Sequence, residues 1–233
     1  MAKAVEHDVD IVFCNAQEYE ENSKKAYRLY KIPDGFNEGE PITLDTWAKR
    51  EKALPVYLPP WAKIVSLKLV RQHNLIFSGD ENLHDDILFH YHATLITEKI
   101  IYLDEVLYTH RIFSGSITGM YQEKGVQTII DVLHTWNDIE KICEKENIAP
   151  QKVLAVFQKE FAIYAYRAPN SLPYIKKAQD IFNHYGLTES DVPQQHIKHY
   201  RKIMHYWWGR KVFYRIKRLI KLRIRTLRAK NLS

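Results

Sequence analysis

A chain of 233 residues, 45% hydrophobic and 12% aromatic, is long enough for one sizeable domain or two small ones around a buried core. No apolar run reaches the roughly 18 residues a membrane-spanning helix needs. The opening "MAKAVEHDVD" lacks the apolar centre of a secretory signal, and Cys14 and Cys143 have neither metal-ligand spacing nor a disulfide framework, so the cytoplasm is the expected location. The formal charge of +6 is uneven: 13 of the 34 basic residues and no acid lie from Val192 to Ser233, leaving positions 1–191 with 21 basic against 28 acidic side chains, a net −7.

"DVDIVFCN" (8–15) reads as a short buried strand, because Val9, Ile11, Val12 and Phe13 are β-branched or aromatic and the run is too brief for a helix. It is preceded only by "MAKAVEH", which resembles the end of a helix, so a segment upstream is expected to be missing. Residues 16–54 are polar and turn-rich, with one helix in "TLDTWAKREKAL" opened by Thr43 and given first-turn negative charge by Asp45. A Pro-Pro turn then precedes Trp61, the strand "KIVS" and the helical turn "LKLVRQHN". After the loop "SGDEN", "LHDDILFHYHATLITEK" predicts a helix with Ile87, Leu88, Tyr91 and Leu95 at helical spacing. "IIYLDEVLYTHRI" predicts a strand broken near Asp104, followed by the flexible loop "SGSITG". Helices are predicted at 121–146, 150–167, 172–185 and 195–229. The pattern divides the chain into an α/β region (1–120), a helical region (121–190) and a basic amphipathic helix (191–233).

The stretch "HDDILFHYH" (84–92) concentrates three histidines and two aspartates. Acids in a first helical turn are common, since unpaired backbone N–H groups and the helix dipole favour negative charge there. A catalytic reading of Asp85 and Asp86 needs the order of the pieces: a loop delivers them to a helix start, and a following strand leads into His110, Arg111 and Ser116. A carboxylate at a cleft edge can take a proton from a sugar hydroxyl, while Arg and His offset phosphate charge.

On these residues the sequence resembles the second half of bacterial family-2 glycosyltransferases, inverting enzymes of the GT-A fold. The resemblance covers about residues 1–120. It is carried by Asp85-Asp86 and, some 20 residues later, by Leu107, Tyr108, Thr109, His110, Arg111 and Ser116-Ile117-Thr118. It implies an incomplete GT-A-like (Rossmann-like) mixed sheet followed by an all-α region. It also implies Asp86 as the base that deprotonates the acceptor hydroxyl, and Asp85 as the residue that orients it. Trp61 and Lys63 match the family's "W-x-K" element beside the active site. His84, His110, Arg111 and Ser116 become candidate substrate-binding residues, His110 corresponding to a late histidine near the metal or diphosphate. The full family enzyme uses Mn²⁺ or Mg²⁺ held by an Asp-x-Asp motif upstream of the region matched here. Asp8-Val9-Asp10 spells those letters in the wrong place, so no metal ligand is assigned.

The resemblance therefore implies a truncated enzyme that transfers a sugar from a nucleotide-sugar to a saccharide or lipid-linked acceptor in bacterial surface polysaccharide or lipopolysaccharide synthesis. The donor-binding half is absent, which leaves open whether the chain catalyses alone. The competing readings are a non-catalytic remnant or accessory subunit, and a metal-dependent phosphohydrolase using His84-Asp85. His90, four residues after Asp86, is placed on the same helix face as a hydrogen-bond partner or metal ligand, with His92 pointing elsewhere. In the tail, Phe213, Ile216, Ile220, Ile224 and Leu227 form an apolar stripe among Lys and Arg, with Tyr206, Trp207 and Trp208 at its start. This suits a helix on an anionic membrane surface, peripheral on the inner face of the cytoplasmic membrane, or one docked on the acidic body. Nucleic acid is the least expected partner, because no nucleic-acid-binding module accompanies the basic residues.

Overall fold

In a computed structural model the structure describes residues 2–205 apart from 22, 57, 78–83, 113–125 and 168–170. The fold is mixed α/β: a curled sheet with helices on it, passing into helices alone. Strand β1 (Ile11–Glu20) lies at the sheet's centre. It pairs in parallel with β5 (Lys99–Ile112) along its whole length. Its other edge is shared antiparallel by β4 (Lys63–Val65), opposite Ile11–Phe13, and β2 (Lys25–Arg28), opposite Gln17–Glu20. The two-residue β3 (Ile42–Thr43) closes the far edge of β5.

β1 outruns the predicted strand because pairing on both edges satisfies its backbone even where polar Gln17 and Glu18 replace the apolar run. The fully exposed β2 and the short β3 fall in the stretch read as turn-rich. Both are edge strands, held by backbone bonds rather than an alternating apolar pattern. Thr43 belongs to β3 opposite Lys99, so the helix predicted to open there begins later, as α2 (Trp47–Ala53) after Thr46. Asp45 forms an ion pair with Lys49 at 3.0 Å just before and within that first turn.

The expected break near Asp104 is a bulge within a continuous β5. Cys14 faces Leu103, Asn15 faces Val106 and Ala16 faces Tyr108, so β5 accommodates extra residues while β1 runs on. The fully buried Asn15 stitches the irregularity. Its Nδ2 donates to the Tyr30 carbonyl (2.9 Å) and Asp104 Oδ1 (3.0 Å), while its Oδ1 accepts from the N–H groups of Ala16 (2.9 Å) and Tyr30 (3.2 Å).

After a short helix α1 (Ala2–Glu6), α2 and β4, helix α3 (Leu67–His73) starts at Ser66. Ser66 Oγ accepts from the Leu69 N–H (3.1 Å) and donates to Asp10 Oδ1 (2.7 Å). Asp10 is thus a brace between β1 and α3. Ser66→Ala is expected to cost about 1 kcal/mol, the usual value of an N-cap, and urea denaturation would measure it.

Helix α4 (Asp85–Ile96) joins the sheet to the helices. All nine residues from Ile87 to Leu95 are buried. Phe89 and Ala93 pack with Ile11, Phe13, Ile100 and Tyr102 of the sheet, while Ile87, Leu88, Tyr91 and Leu95 pack into the helical cluster. At its C-terminus the Arg50 guanidinium donates to the carbonyls of Thr94 (2.9 Å), Leu95 (2.8 Å) and Thr97 (2.9 Å), placing a cation where the dipole is negative. Beyond it lie α5 (Val126–Lys145), α6 (Pro150–Arg167), α7 (Leu172–His184) and α8 (Ile197–Met204). Trp136, Phe157, Phe161 and Phe182 fill their core. The "SGSITG" loop with Ser116, and the tail from Tyr206, lie outside the described residues.

Candidate active site

The N-terminal end of α4 opens into a cleft of about 610 Å³. Asp86, Ile87 and His84 line it from α4, Trp61 from the turn before β4, Glu18 from β1, His110 from β5 and Tyr164 from α6. Four of the sequence-predicted residues thus meet here: Asp86, His84, Trp61 and His110. A depression of about 660 Å³ lies at the other end of α4, around Thr43, Arg50, Glu98 and Lys152. It is slightly larger, but its best-placed cation, Arg50, already caps α4, and none of the sequence-predicted site residues lines it. Chemistry rather than size therefore selects the cleft at Asp86.

Asp86 sits in the first helical turn with its Oδ1 accepting from the Ile87 N–H at 2.8 Å. Burial pushes its carboxyl up to about 6, an effect that the nearby Asp85 and Glu160 reinforce and that the Ile87 bond and the Lys63 charge oppose. Asp85 does not line the cleft. Its Oδ1 accepts from the Asp86 N–H at 2.7 Å, so it braces the backbone of the residue that does. His84 is buried, with Nε2 at 3.2 Å from the Thr128 carbonyl and its ring 4.3 Å from that of Tyr164. Burial lowers its basicity. It ties the start of α4 to α5 and α6.

Trp61 forms one wall, its ring stacked on Tyr108 (4.6 Å) and His110 (5.4 Å). His110 Nδ1 lies 3.7 Å from Glu18 Oε1, the two residues being register partners across β1 and β5. Arg111, next along β5, does not line the cleft and pairs with Glu21 at 3.3 Å. Successive strand residues point to opposite faces, so His110 and Arg111 cannot both face the cleft.

Lys63 does not line the cleft. It is buried, donating from Nζ to the Leu58 carbonyl (2.8 Å) and to His90 Nδ1 (2.8 Å). His90 was placed by sequence as a partner of Asp86 or a metal ligand. Instead both of its ring nitrogens are engaged elsewhere, Nε2 with the Leu54 carbonyl at 3.0 Å. His92 is buried away from the cleft, and its basicity falls to about 4 because of that burial.

Glu18, Tyr30 and Tyr164 were missed by sequence reasoning. Glu18 reaches the site through strand register and Tyr164 through helix packing, neither of which leaves a local spacing. Among the described residues no three His, Cys, Asp or Glu side chains come together as a metal ion would require. The described residues therefore do not by themselves form a metal site. Among them His84 and Asp85 are not grouped with a further His, Cys, Asp or Glu as a phosphohydrolase site needs, and Asp10 of Asp8-Val9-Asp10 is engaged by Ser66.

Among the described residues no helix is long and apolar enough to cross a membrane. No family model matches the chain. A crystal structure of residues 1–349 of S. aureus TarS in complex with UDP aligns with a TM-score of 0.39 and 15% identity, over 89% of this chain and 61% of that one. The chain spans 19% of the length of a curated relative, the glycosyltransferase GlyA of Streptococcus pneumoniae serotype 4. Over 135 residues, 56% of the chain, it is 24% identical to that glycosyltransferase.

Proposed function

We propose that this chain provides the acceptor side of an inverting glycosyl transfer of the family-2, GT-A type. Asp86 acts as general base. Its Oδ2 takes the proton of an acceptor hydroxyl as that oxygen bonds to the anomeric carbon, and the bond from this carbon to the nucleoside diphosphate breaks on the opposite side. The observation that carries the reading is a half-buried carboxyl at a helix start lining an aromatic-walled cleft. A carboxyl that titrates near 6 is a stronger base than one near 4 and is still mostly ionised at pH 7. Trp61 offers an apolar ring face to a sugar, and Glu18 and His110 offer polar atoms to its hydroxyls.

The substrates in this reading are a nucleotide-sugar donor and a saccharide or lipid-linked acceptor of bacterial surface polysaccharide. Incubation with radiolabelled UDP-sugars and Mn²⁺, with transfer to such acceptors as readout, tests it. Neither transfer nor donor binding in any combination would overturn catalysis by this chain alone. The pH profile of kcat/KM is expected to show its acidic limb near 6, since Asp86 must be ionised to accept a proton. A limb near 4 would point to an ordinary exposed carboxylate instead.

The excess of basic residues beyond Val192 suits an acceptor at an anionic bilayer surface. The full chain is expected to float with vesicles containing anionic lipid, and the chain lacking residues 206–233 to remain in the pellet. Equal behaviour of the two would remove the membrane from the proposal.

A further inference from the structure

Lys63 occupies a position where a strand would ordinarily bury an apolar side chain. On β4 it is 8% exposed while its neighbour Ile64 is 42% exposed, so the lysine, not the isoleucine, faces inward. Buried lysines are rare unless paired. Among the described residues Lys63 has no direct ion pair. Its donors meet the Leu58 carbonyl and His90 Nδ1, each at 2.8 Å, and its ammonium lies 5.8 Å from the centre of the Phe13 ring.

The fully buried His90 decides whether this arrangement works. The Leu54 carbonyl can only accept, so the 3.0 Å contact places the proton on His90 Nε2. Nδ1 is then a bare lone pair, which is what an ammonium donor needs. The opposite tautomer would set N–H against N–H. The charged groups acting on this set come from two elements besides β4, Asp85 and Asp86 on α4 and Glu160 and Lys159 on α6, while the Leu54 segment contributes only backbone groups. Burial lowers the Lys63 ammonium to about 7 against the opposing pull of the Asp86 carboxylate, so the lysine is still mostly charged where Asp86 titrates, near 6.

We propose that His90 is a positioning residue, which through its Leu54-fixed tautomer holds the Lys63 ammonium as the buried counter-charge of Asp86. The consequence is a base whose ionisation is set from inside the protein. His90 stands one turn after Asp86 on α4, which puts the ammonium it holds within Coulombic reach of that carboxylate, and His90 acts only through Lys63. This role rests on Asp86 serving as the base, but its readout does not require turnover.

The test is an NMR titration of the Asp86 carboxyl in protein carrying ¹³C-labelled aspartate, assigned with Asp86→Asn. In Lys63→Met the Asp86 midpoint is expected to rise by roughly one to two pH units, the usual influence of a nearby opposite charge. His90→Leu is expected to shift it the same way. His90→Gln is expected to restore it, since the amide donates to the Leu54 carbonyl and accepts from Lys63. In the unaltered protein, ¹⁵N NMR should show His90 as the Nε2–H tautomer, with a hydrogen-bonded Nδ1 signal that changes in Lys63→Met. An unchanged Asp86 midpoint in Lys63→Met overturns the counter-charge, and an Nδ1–H tautomer overturns the role of His90 even if His90→Leu does not fold. Shifts as expected without any sugar transfer would leave this assignment standing and remove the transferase reading alone.

Discussion

Asp86→Asn is expected to lower kcat for sugar transfer by about 10² to 10⁴-fold, the usual contribution of a positioned general base. The amide can keep the bond from the Ile87 N–H through its Oδ1, so the helix start is preserved while the proton acceptor is lost. The same variant is expected to be more stable above pH 6. Burial holds the carboxyl at about 6 instead of the ordinary 3.8. A raised carboxyl pKa means that the folded state favours the protonated form. The associated stability is fully present below about 4 and is lost as pH rises through about 6. At 1.36 kcal/mol per unit this is roughly 3 kcal/mol, part of which the variant returns by leaving Lys63 without its counter-charge. Loss of activity together with a raised urea midpoint at pH 8 is the signature of a site strained for function. Loss of both activity and stability would reduce Asp86 to a helix-start acid.

The second large effect is expected at Trp136, the largest fully buried side chain, 1% exposed on α5. Its ring lies 5.5 Å from that of Phe157 and 6.0 Å from that of Tyr185. Phe157 in turn meets Tyr91 of α4 edge-on at 5.5 Å. Trp136→Ala removes the hub of this aromatic chain and is expected to destabilise the fold by about 3–5 kcal/mol. That is a large share of the 5–15 kcal/mol typical of a domain. Urea denaturation with an unchanged slope and a lower midpoint would report it. A loss below about 1 kcal/mol would mean that α5 and α6 do not share the described core. Because α4 is packed against this core, the same substitution should also loosen the end of α4 that presents Asp86.

Several of these elements were legible in the sequence. The apolar run around Ile11–Phe13, the helical spacing of Ile87, Leu88, Tyr91 and Leu95, and the helical stretches Val126–Lys145, Pro150–Arg167 and Leu172–His184 became the elements expected. Strands β2 and β3 were illegible, since an exposed four-residue edge and a two-residue edge carry no periodicity. The bulge in β5 appeared only as a polar interruption at Asp104, because nothing local says whether such an interruption ends a strand or bends it. The pair Asp85-Asp86 could be singled out from its place at a helix start, but only the packing separates the two roles, one aspartate facing the cleft and the other bracing backbone.

Local spacing by itself determined the helix that carries Asp86, the inward-facing core residues of that helix, and the concentration of positive charge beyond Val192. These depend on neighbours in the chain, which a sequence displays. The tertiary structure alone decided that Lys63 is buried against His90, that Glu18, His110 and Tyr164 reach the same cleft as Trp61, and that Arg111 does not. Those outcomes depend on strand register and on which helix covers which face. Residues 18 and 110, or 84 and 164, become neighbours only when the sheet is paired and the helices are packed, and no short-range pattern records that event.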